Sequence, residues 1–327
     1  MRASERTEQF RVMGCGAIVT AVDGPLEAVA TARGLLDELE SRWSRFLPDS
    51  ELNALNDAAG SGWCGVSELT FALVERMVHG WRHTGGAFDP TVTGALEAAG
   101  YDRNFAEVRR DGAAIPAGAA ARPVPGCGGI GLDRHGRRVC LPAGVRLDAG
   151  GIGKGLAADL AVARLMRLGC SGAMASVGGD VRVCGRPPQG ERWRAEVADA
   201  GDARIAERTL LDGAVATSST ALRRWRVTGP DGAAAEAHHV IDPATGRPAV
   251  TDVVLVSVST GRGWWSEVLA TAALARGRAA GAALLDAHGA DAVLVDADGA
   301  GHVVGAAFSL LAPSADIDAV AALKAVS

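Results

Sequence analysis

The stretch Asp148-Ala-Gly-Gly-Ile-Gly-Lys-Gly155 decides how this 327-residue chain is interpreted. It follows a short apolar run ending at Leu147 and precedes an amphipathic run from Leu156 to Leu168, so it predicts a strand-to-helix turn. Glycines at such a turn let the backbone approach a ligand closely, and the N–H groups of the following helix favour negative charge. The acid at its start and the lysine within it indicate an anionic ligand held together with a cation.

This stretch differs from the two common phosphate-binding motifs. Gly155 follows Lys154 where a Walker A loop needs serine or threonine, and the glycine spacing does not fit the dinucleotide fingerprint G-x-G-x-x-G. A purely structural glycine turn is the alternative interpretation. Asp148 and Lys154 favour a ligand site, because neither residue is needed to form the turn.

A second segment, His239-Val-Ile-Asp-Pro-Ala-Thr-Gly246, places a histidine at the end of a predicted strand and beside a turn. The ordinary pKa of histidine suits a general base near neutral pH. A packed or surface histidine is the alternative. Together with the glycine turn, the segment points to a site for a nucleotide diphosphate.

Glu267 and Thr271 lie four residues apart on a predicted helix that starts near Trp264. Their carboxylate and hydroxyl therefore share one helical face and can ligate one hard cation, for which magnesium is the natural candidate. The alternative is a solvated helix charge, which the neighbouring Trp264 and Trp265 disfavour.

Two aromatic residues, Phe46 and Phe88, each stand beside polar groups at a predicted helix exit. Either segment forms a capped turn, or its ring contacts a flat ligand that Asp89 hydrogen-bonds; the residues alone leave both interpretations open.

Charge and composition narrow the partners. The net charge is −5, with acidic and basic residues interspersed and no basic stripe, so we expect no nucleic-acid partner. Val12-Met-Gly-Cys15 superficially resembles a lipoprotein cleavage site, but the segment before it is polar. We therefore expect no signal peptide, no membrane insertion and a cytoplasmic location.

The pattern of elements indicates an α+β fold, because short strands in hairpins alternate with segregated helices and no regular βαβ repeat appears. Phe10 to Val22 reads as one strand, Ser67 as the N-cap of a helix, and residues 264–276 and 278–288 as two helices. Further strands are predicted at 172–177, 181–184, 192–198, 205–211, 214–217, 223–228, 238–241, 253–259 and 290–295. The predicted limits are a tail at 1–9, one domain at 10–312 and a second tail at 313–327.

Taken in order, the motifs of this chain resemble those of the ApbE family, the FAD:protein FMN transferases. The matching segments run from Met13 to Thr271: Met13-Gly14, Pro48 to Asn56, Gly86 to Val92, Gly100 to Arg103, Leu147 to Gly155, Val177 to Asp180, Ala216 to Ser218, His239 to Pro248 and Glu267 to Thr271. One departure is Glu267, where the family usually has aspartate.

The resemblance implies an ApbE-like (T-fold-like) single domain of two lobes, with mixed or antiparallel sheets and FAD between the lobes. It implies that FMN moves from FAD to a threonine or serine hydroxyl of a target flavoprotein, with magnesium present and AMP released. A FAD pyrophosphatase and a non-catalytic FAD-binding protein are the alternative functions. By motif position, His239 is the catalytic base, and the metal ligands are Gly151, Glu267 and Thr271. The implied FAD-binding residues are Met13, Phe46, Ala87, Phe88, Asp89, Asp148, Lys154 and Ile241.

Overall fold

The computed structural model of the chain describes residues 4–111, 115–116, 121–228 and 234–311. The C-terminal tail predicted for 313–327 lies outside these residues.

Seven helices occur in the described residues. They are α1 (Ala28–Trp43), α2 (Glu51–Asp57), α3 (Glu68–His83), α4 (Thr93–Ala98), α5 (Phe105–Asp111), α6 (Gly153–Arg167) and α7 (Gly263–Ala287).

Six of the described strands precede α6 and thirteen follow it. They are β1 (Glu5–Val12), β2 (Cys15–Val22), β3 (Trp63–Gly65), β4 (Ile115–Pro116), β5 (Gly131–Asp133), β6 (Arg138–Cys140), β7 (Gly172–Val177), β8 (Asp180–Gly185), β9 (Trp193–Ala198), β10 (Arg204–Leu210), β11 (Gly213–Ser219), β12 (Arg224–Thr228), β13 (Ala234–His238), β14 (Ile241–Asp242), β15 (Arg247–Pro248), β16 (Val253–Thr260), β17 (Asp291–Asp296), β18 (Gly301–Val304) and β19 (Ser309–Leu310).

An eight-stranded sheet organises the molecule, with the strand order β1-β2-β7-β8-β11-β16-β17-β18. Its neighbouring strands are antiparallel throughout. Among the described strands, β12 and β4 form the one parallel pair. The predicted α+β class with mixed and antiparallel sheets is confirmed, whereas the division into two lobes stays a prediction.

The two faces of this sheet are covered differently. Because successive side chains of a strand point to opposite faces, Ala17 and Val19 pack into the core formed with α1, α3 and α6, while Ile18 packs into a second core. The second core is completed by the small sheet β19-β10-β9, through residues such as Trp193 and Val197. Helices α6 and α7 therefore lie on one side of the sheet and carry the segments predicted to be functional.

The strand predicted from Phe10 to Val22 is wrong in one respect, because it is a hairpin. β1 and β2 pair antiparallel, and the chain reverses at Met13 and Gly14, which have φ of 54° and 68°. A left-handed φ at a methionine is uncommon and gives no turn signal in the sequence. β1 also begins at Glu5, so residues 5–9 of the predicted tail form part of a strand.

Local signals predict the helices well. Ser67 is the N-cap of α3, and its hydroxyl accepts a hydrogen bond from the Thr70 N–H at 3.2 Å. The two helices predicted on either side of residue 277 form α7, which Gly277 interrupts with φ 76° and ψ 177°. The strand predicted at 238–241 is wrong in its limits, because β13 ends at His238 and β14 starts at Ile241.

Among the described helices, α7 has the length and apolar composition of a membrane span, with half of its most apolar window buried inside the protein. Length and composition alone are weak evidence, because the core helix of a folded domain has the same properties. Glu267, Leu269 and Leu274 on this helix are buried against its neighbours.

Candidate active site

The glycine turn leads directly into α6, which begins at Gly153. Gly150, Gly151, Gly153 and Gly155 have no left-handed φ, so backbone conformation does not explain them. The close approach of neighbouring atoms explains the need for glycine. A Cβ added at Gly155 would lie 2.3 Å from the Gly263 carbonyl oxygen, because the start of α6 crosses the start of α7 at that point.

A buried group of three charges forms where these helices meet β8. The Lys154 ammonium is 2.7 Å from Asp180 Oδ2 and also contacts Glu267 Oε1. The Asp180 and Glu267 side chains are only 1% and 3% exposed. Glu267 Oε2 accepts the Gly155 N–H at 2.7 Å, and Asp180 Oδ1 accepts the Thr217 N–H at 3.0 Å. We call Lys154, Asp180 and Glu267 the ion triad.

Burial and charge act against each other in this triad. Burial alone would lower the pKa of Lys154, but Asp180 and Glu267 hold it above its ordinary value, so the ammonium keeps its charge. Burial raises the pKa of Glu267, Lys154 opposes that rise, and Asp180 adds to it. One ammonium faces two carboxylates, so the triad carries an excess of negative charge when both acids are ionised.

The three predicted metal ligands lie close to this charge. Glu267 and Thr271 lie one turn apart on α7, and a Cβ added at Gly151 would be 3.4 Å from Thr271 Oγ1. The Thr271 hydroxyl is also 3.0 Å from the Ser218 hydroxyl. A carboxylate, a hydroxyl and a backbone carbonyl are all oxygen donors, the type that magnesium prefers, and the triad favours a divalent cation when both of its acids are ionised. The residues present therefore fit a magnesium site.

Asp148, which the sequence predicts to contact a ligand, forms an ion pair with Arg45. Its Oδ2 is 2.7 Å from Arg45 Nε, and both side chains are 8% exposed. The Arg45 guanidinium lies 4.1 Å from the ring centre of Phe46 and 4.6 Å from that of Tyr101. Asp148 thus neutralises the charge of Arg45, and Arg45 packs on the Phe46 ring near the turn.

His239 lies between β13 and β14, within the electrostatic influence of the ion triad. Burial is the main cause that lowers its pKa to about 3, and the charges of Arg223, His238 and Lys154 contribute to that shift. Its Nδ1 is buried without a hydrogen-bond partner. The imidazole is therefore neutral at neutral pH, and its pKa lies well below the ordinary value on which the sequence argument for a general base rested.

Other predicted residues have less direct positions. Phe88 is buried, and its ring would be 3.2 Å from a Cβ at Gly151, so it lines the turn; Ala87 beside it is buried as well. Asp89 is committed to its own turn, since its Oδ1 accepts from the Thr91 N–H at 2.8 Å and hydroxyl at 2.6 Å. That contact fits the capped turn better than a direct ligand contact.

Met13 is half-buried in the hairpin turn beside the Cys15 thiol. Cys15 and Lys154 both pack against Gly178, where an added Cβ would be 2.9 Å from Cys15 Sγ and 3.0 Å from Lys154 Cδ. Ile241 belongs to a small apolar cluster with Tyr101, against which Phe46 packs. These residues surround the site, and their contacts with FAD stay predictions.

The sequence interpretation assigned no role to three residues of this site, namely Asp180, Arg45 and Arg223. The segment Val177-Gly-Gly-Asp180 contained a usable signal, because an acid directly after a glycine turn is well placed to face a cleft. Arg45 and Arg223 gave no such signal, since each is one of several arginines in its region.

These features define a class of protein: an α+β enzyme whose site combines a helix-start turn, oxygen donors that fit a cation and a neutral histidine. The ApbE family model matches residues 13–294. An FAD:protein FMN transferase from Treponema pallidum is 31% identical over 278 residues, which cover 78% of this chain and 72% of that protein. One from Vibrio cholerae is 27% identical and covers 76% of this chain and 72% of its own length.

The crystal structure of the ApbE protein from Thermotoga maritima superposes with a TM-score of 0.77 at 25% identity, over 92% of this chain and 97% of that one. The chain belongs to the ApbE family. The predicted family, fold class and enzyme class, a flavin transferase, are thereby confirmed.

Proposed function

We propose that this chain binds FAD as its substrate and transfers the FMN half to a threonine or serine hydroxyl of a target flavoprotein, releasing AMP. The observation that carries the proposal is the ion triad at the start of α6, with a neutral histidine in its electrostatic field. Family membership and the activity of the relatives support it.

His239 serves as the base. A hydroxyl is a weak nucleophile at its own pKa, and a positioned base accelerates its attack by about 10²–10⁴-fold. The acceptor oxygen forms a bond to the phosphorus of the FMN half while the bond from that phosphorus to the AMP phosphate oxygen breaks. The hydroxyl proton passes to His239, and the bonding electron pair leaves with AMP.

Glu267, the Thr271 hydroxyl and the Gly151 carbonyl would hold magnesium. When bound, magnesium would neutralise charge on the two phosphates. Lys154 keeps Asp180 and Glu267 in fixed positions, and the Gly155 N–H donates to Glu267 Oε2. We also propose a cytoplasmic location.

The experiment compares extracts of the native host with and without the gene for this chain. Proteins are separated under denaturing conditions and covalent flavin is read by fluorescence. A fluorescent protein should disappear in the deletion extract and return when purified protein, FAD and Mg²⁺ are added, with one AMP released per flavin attached. The His239→Ala variant should bind FAD and fail to restore the band.

Two results would contradict the proposal. Release of FMN and AMP without any labelled protein would show a pyrophosphatase. Tight FAD binding without AMP release, with or without Mg²⁺, would show a non-catalytic FAD-binding protein.

A further inference from the structure

The basic side chains around the site differ in whether their charge is already neutralised. Lys154 is held by two carboxylates of the ion triad. Arg45 is paired with Asp148 at 2.7 Å and is enclosed by two aromatic rings. The charges of Lys154 and Arg45 are therefore already neutralised by protein carboxylates.

Arg223 is the exception. Within the part of the chain that the structure describes, its side-chain partner is the Tyr101 hydroxyl, which accepts from Nη1 at 3.4 Å, and no carboxylate lies within ion-pair distance. Its side chain is half-buried. An unpaired guanidinium in such a position is costly unless a ligand or water satisfies its donors.

Arg223 also lies close to other residues of the site. Arg224 pairs with His238 across β12 and β13, so Arg223, one residue earlier, lies beside His239, one residue later. The Arg223 guanidinium donates to the Tyr101 hydroxyl, and the Tyr101 ring packs against Phe46. Arg223 therefore lies near the histidine and the aromatic side of the site.

The local charge balance sets what Arg223 can bind. In the described residues, Lys154 is already paired with both carboxylates of the triad, whereas Arg223 has a tyrosine hydroxyl as its side-chain partner. The charge of Arg223 can therefore face an anionic ligand alongside the proposed magnesium. A guanidinium matches two phosphate oxygens with parallel N–H donors, which an ammonium cannot do.

We propose that Arg223 binds the diphosphate of the substrate directly, while Lys154 holds the two carboxylates in place and does not itself supply the main phosphate contact. This inference rests on the proposed function, because it takes FAD as the substrate. It makes Arg223 a substrate-contacting residue of the transfer reaction.

The test compares binding of three ligands by the full chain: FAD, ADP, which keeps the diphosphate without the flavin, and riboflavin, which keeps the flavin without phosphate. Dissociation constants are measured by calorimetry or flavin fluorescence. Arg223→Met should raise the dissociation constants for FAD and ADP by about 10-fold or more, since charge-assisted hydrogen bonds are lost. Binding of riboflavin should change by less than about twofold.

Two further variants keep the test decisive. Arg226→Met removes an exposed arginine from β12, the strand that starts directly after Arg223, and should leave all three dissociation constants unchanged. Arg223→Lys keeps the charge without the fork and should recover part of the lost affinity. If Arg223→Met does not fold, Arg223→Lys decides: a wild-type dissociation constant for FAD overturns the two-oxygen contact, and a raised dissociation constant supports it.

Other outcomes overturn the inference. If Arg223→Met weakens riboflavin as much as FAD, Arg223 acts only through Tyr101 and the flavin side. If it weakens none of the ligands, Arg223 does not contact the substrate. Covalent labelling by the wild-type protein is scored separately, so a failure of the proposed function and a failure of the Arg223 assignment give different results.

Discussion

Replacing Lys154 by methionine tests the ion triad most severely. The substitution keeps an unbranched side chain of similar length but removes the ammonium between Asp180 and Glu267. Both carboxylates are then left buried with backbone N–H donors and no cation. Removing one partner of a buried ion pair typically costs about 3–5 kcal/mol in the free energy of unfolding.

The cost depends on pH with a definite sign. Burial already raises the pKa of Glu267 above that of an unfolded glutamate, and losing Lys154 raises it further. A carboxyl whose folded pKa lies above its unfolded pKa loses stabilising free energy as pH rises through the folded value. The variant should therefore be destabilised more at about pH 8 than at about pH 5.5, where the carboxyl takes up a proton.

Urea denaturation at both pH values, without divalent ions, measures this cost. Arg194→Met is the control, because Arg194 is exposed and its contact with Glu207 is 3.4 Å long, so the loss should stay within about 1 kcal/mol. The double variant Lys154→Met with Asp180→Asn should recover part of the stability. A Lys154→Met protein as stable as the wild type, or a loss that does not change with pH, would refute the buried triad.

Three other predictions concern the same region. Glu267→Gln should weaken Mn²⁺ binding, followed by electron paramagnetic resonance, by about 10-fold or more, because it removes the one carboxylate among the proposed ligands; unchanged binding would place the metal elsewhere. His239 has a folded pKa of about 3, below the unfolded value, so its contribution to stability is present above about pH 6.5 and is lost as pH falls. Between about pH 7 and 5, the free energy of unfolding of His239→Gln should therefore fall by about 2 kcal/mol less than that of the wild type, as measured by urea titrations. The same pH dependence in both proteins would show that the imidazole is not buried in the neutral form. Gly155→Ala should destabilise the protein by about 1–3 kcal/mol, because its Cβ would meet the Gly263 carbonyl. Gly34→Ala in α1 has open space around the added Cβ and should stabilise the protein by up to about 1 kcal/mol. Thermal unfolding distinguishes the two variants, and equal effects would contradict the helix crossing.

Local chemistry explains which elements the sequence predicts. Ser67 caps α3 through the Thr70 N–H, and Gly277 can adopt the left-handed φ that interrupts α7. The hairpin at Met13 was missed because the strand pattern continues through a non-glycine residue with a left-handed φ. β3, β5 and β6 are three residues each, too short for a periodic signal.

The site was predicted as a set of segments, but its pairings were not. Lys154, Glu267 and Thr271 lie close together as their motifs suggested, and their roles stay predictions. The partner of Asp148 is Arg45, from a helix exit far away in the sequence. Asp180 joins the triad because β8 passes beside the start of α6, and no local pattern shows which strand passes there. Pairing is a tertiary property, so it becomes visible only in the fold.

The most direct measurement is a crystal structure of the protein with FAD and Mn²⁺, using the anomalous signal of manganese to locate the ion. We expect one peak in contact with Glu267, Thr271 and the Gly151 carbonyl, the diphosphate against Arg223, and His239 facing the phosphorus of the FMN half. A manganese peak or a diphosphate bound away from the start of α6 would contradict this expectation.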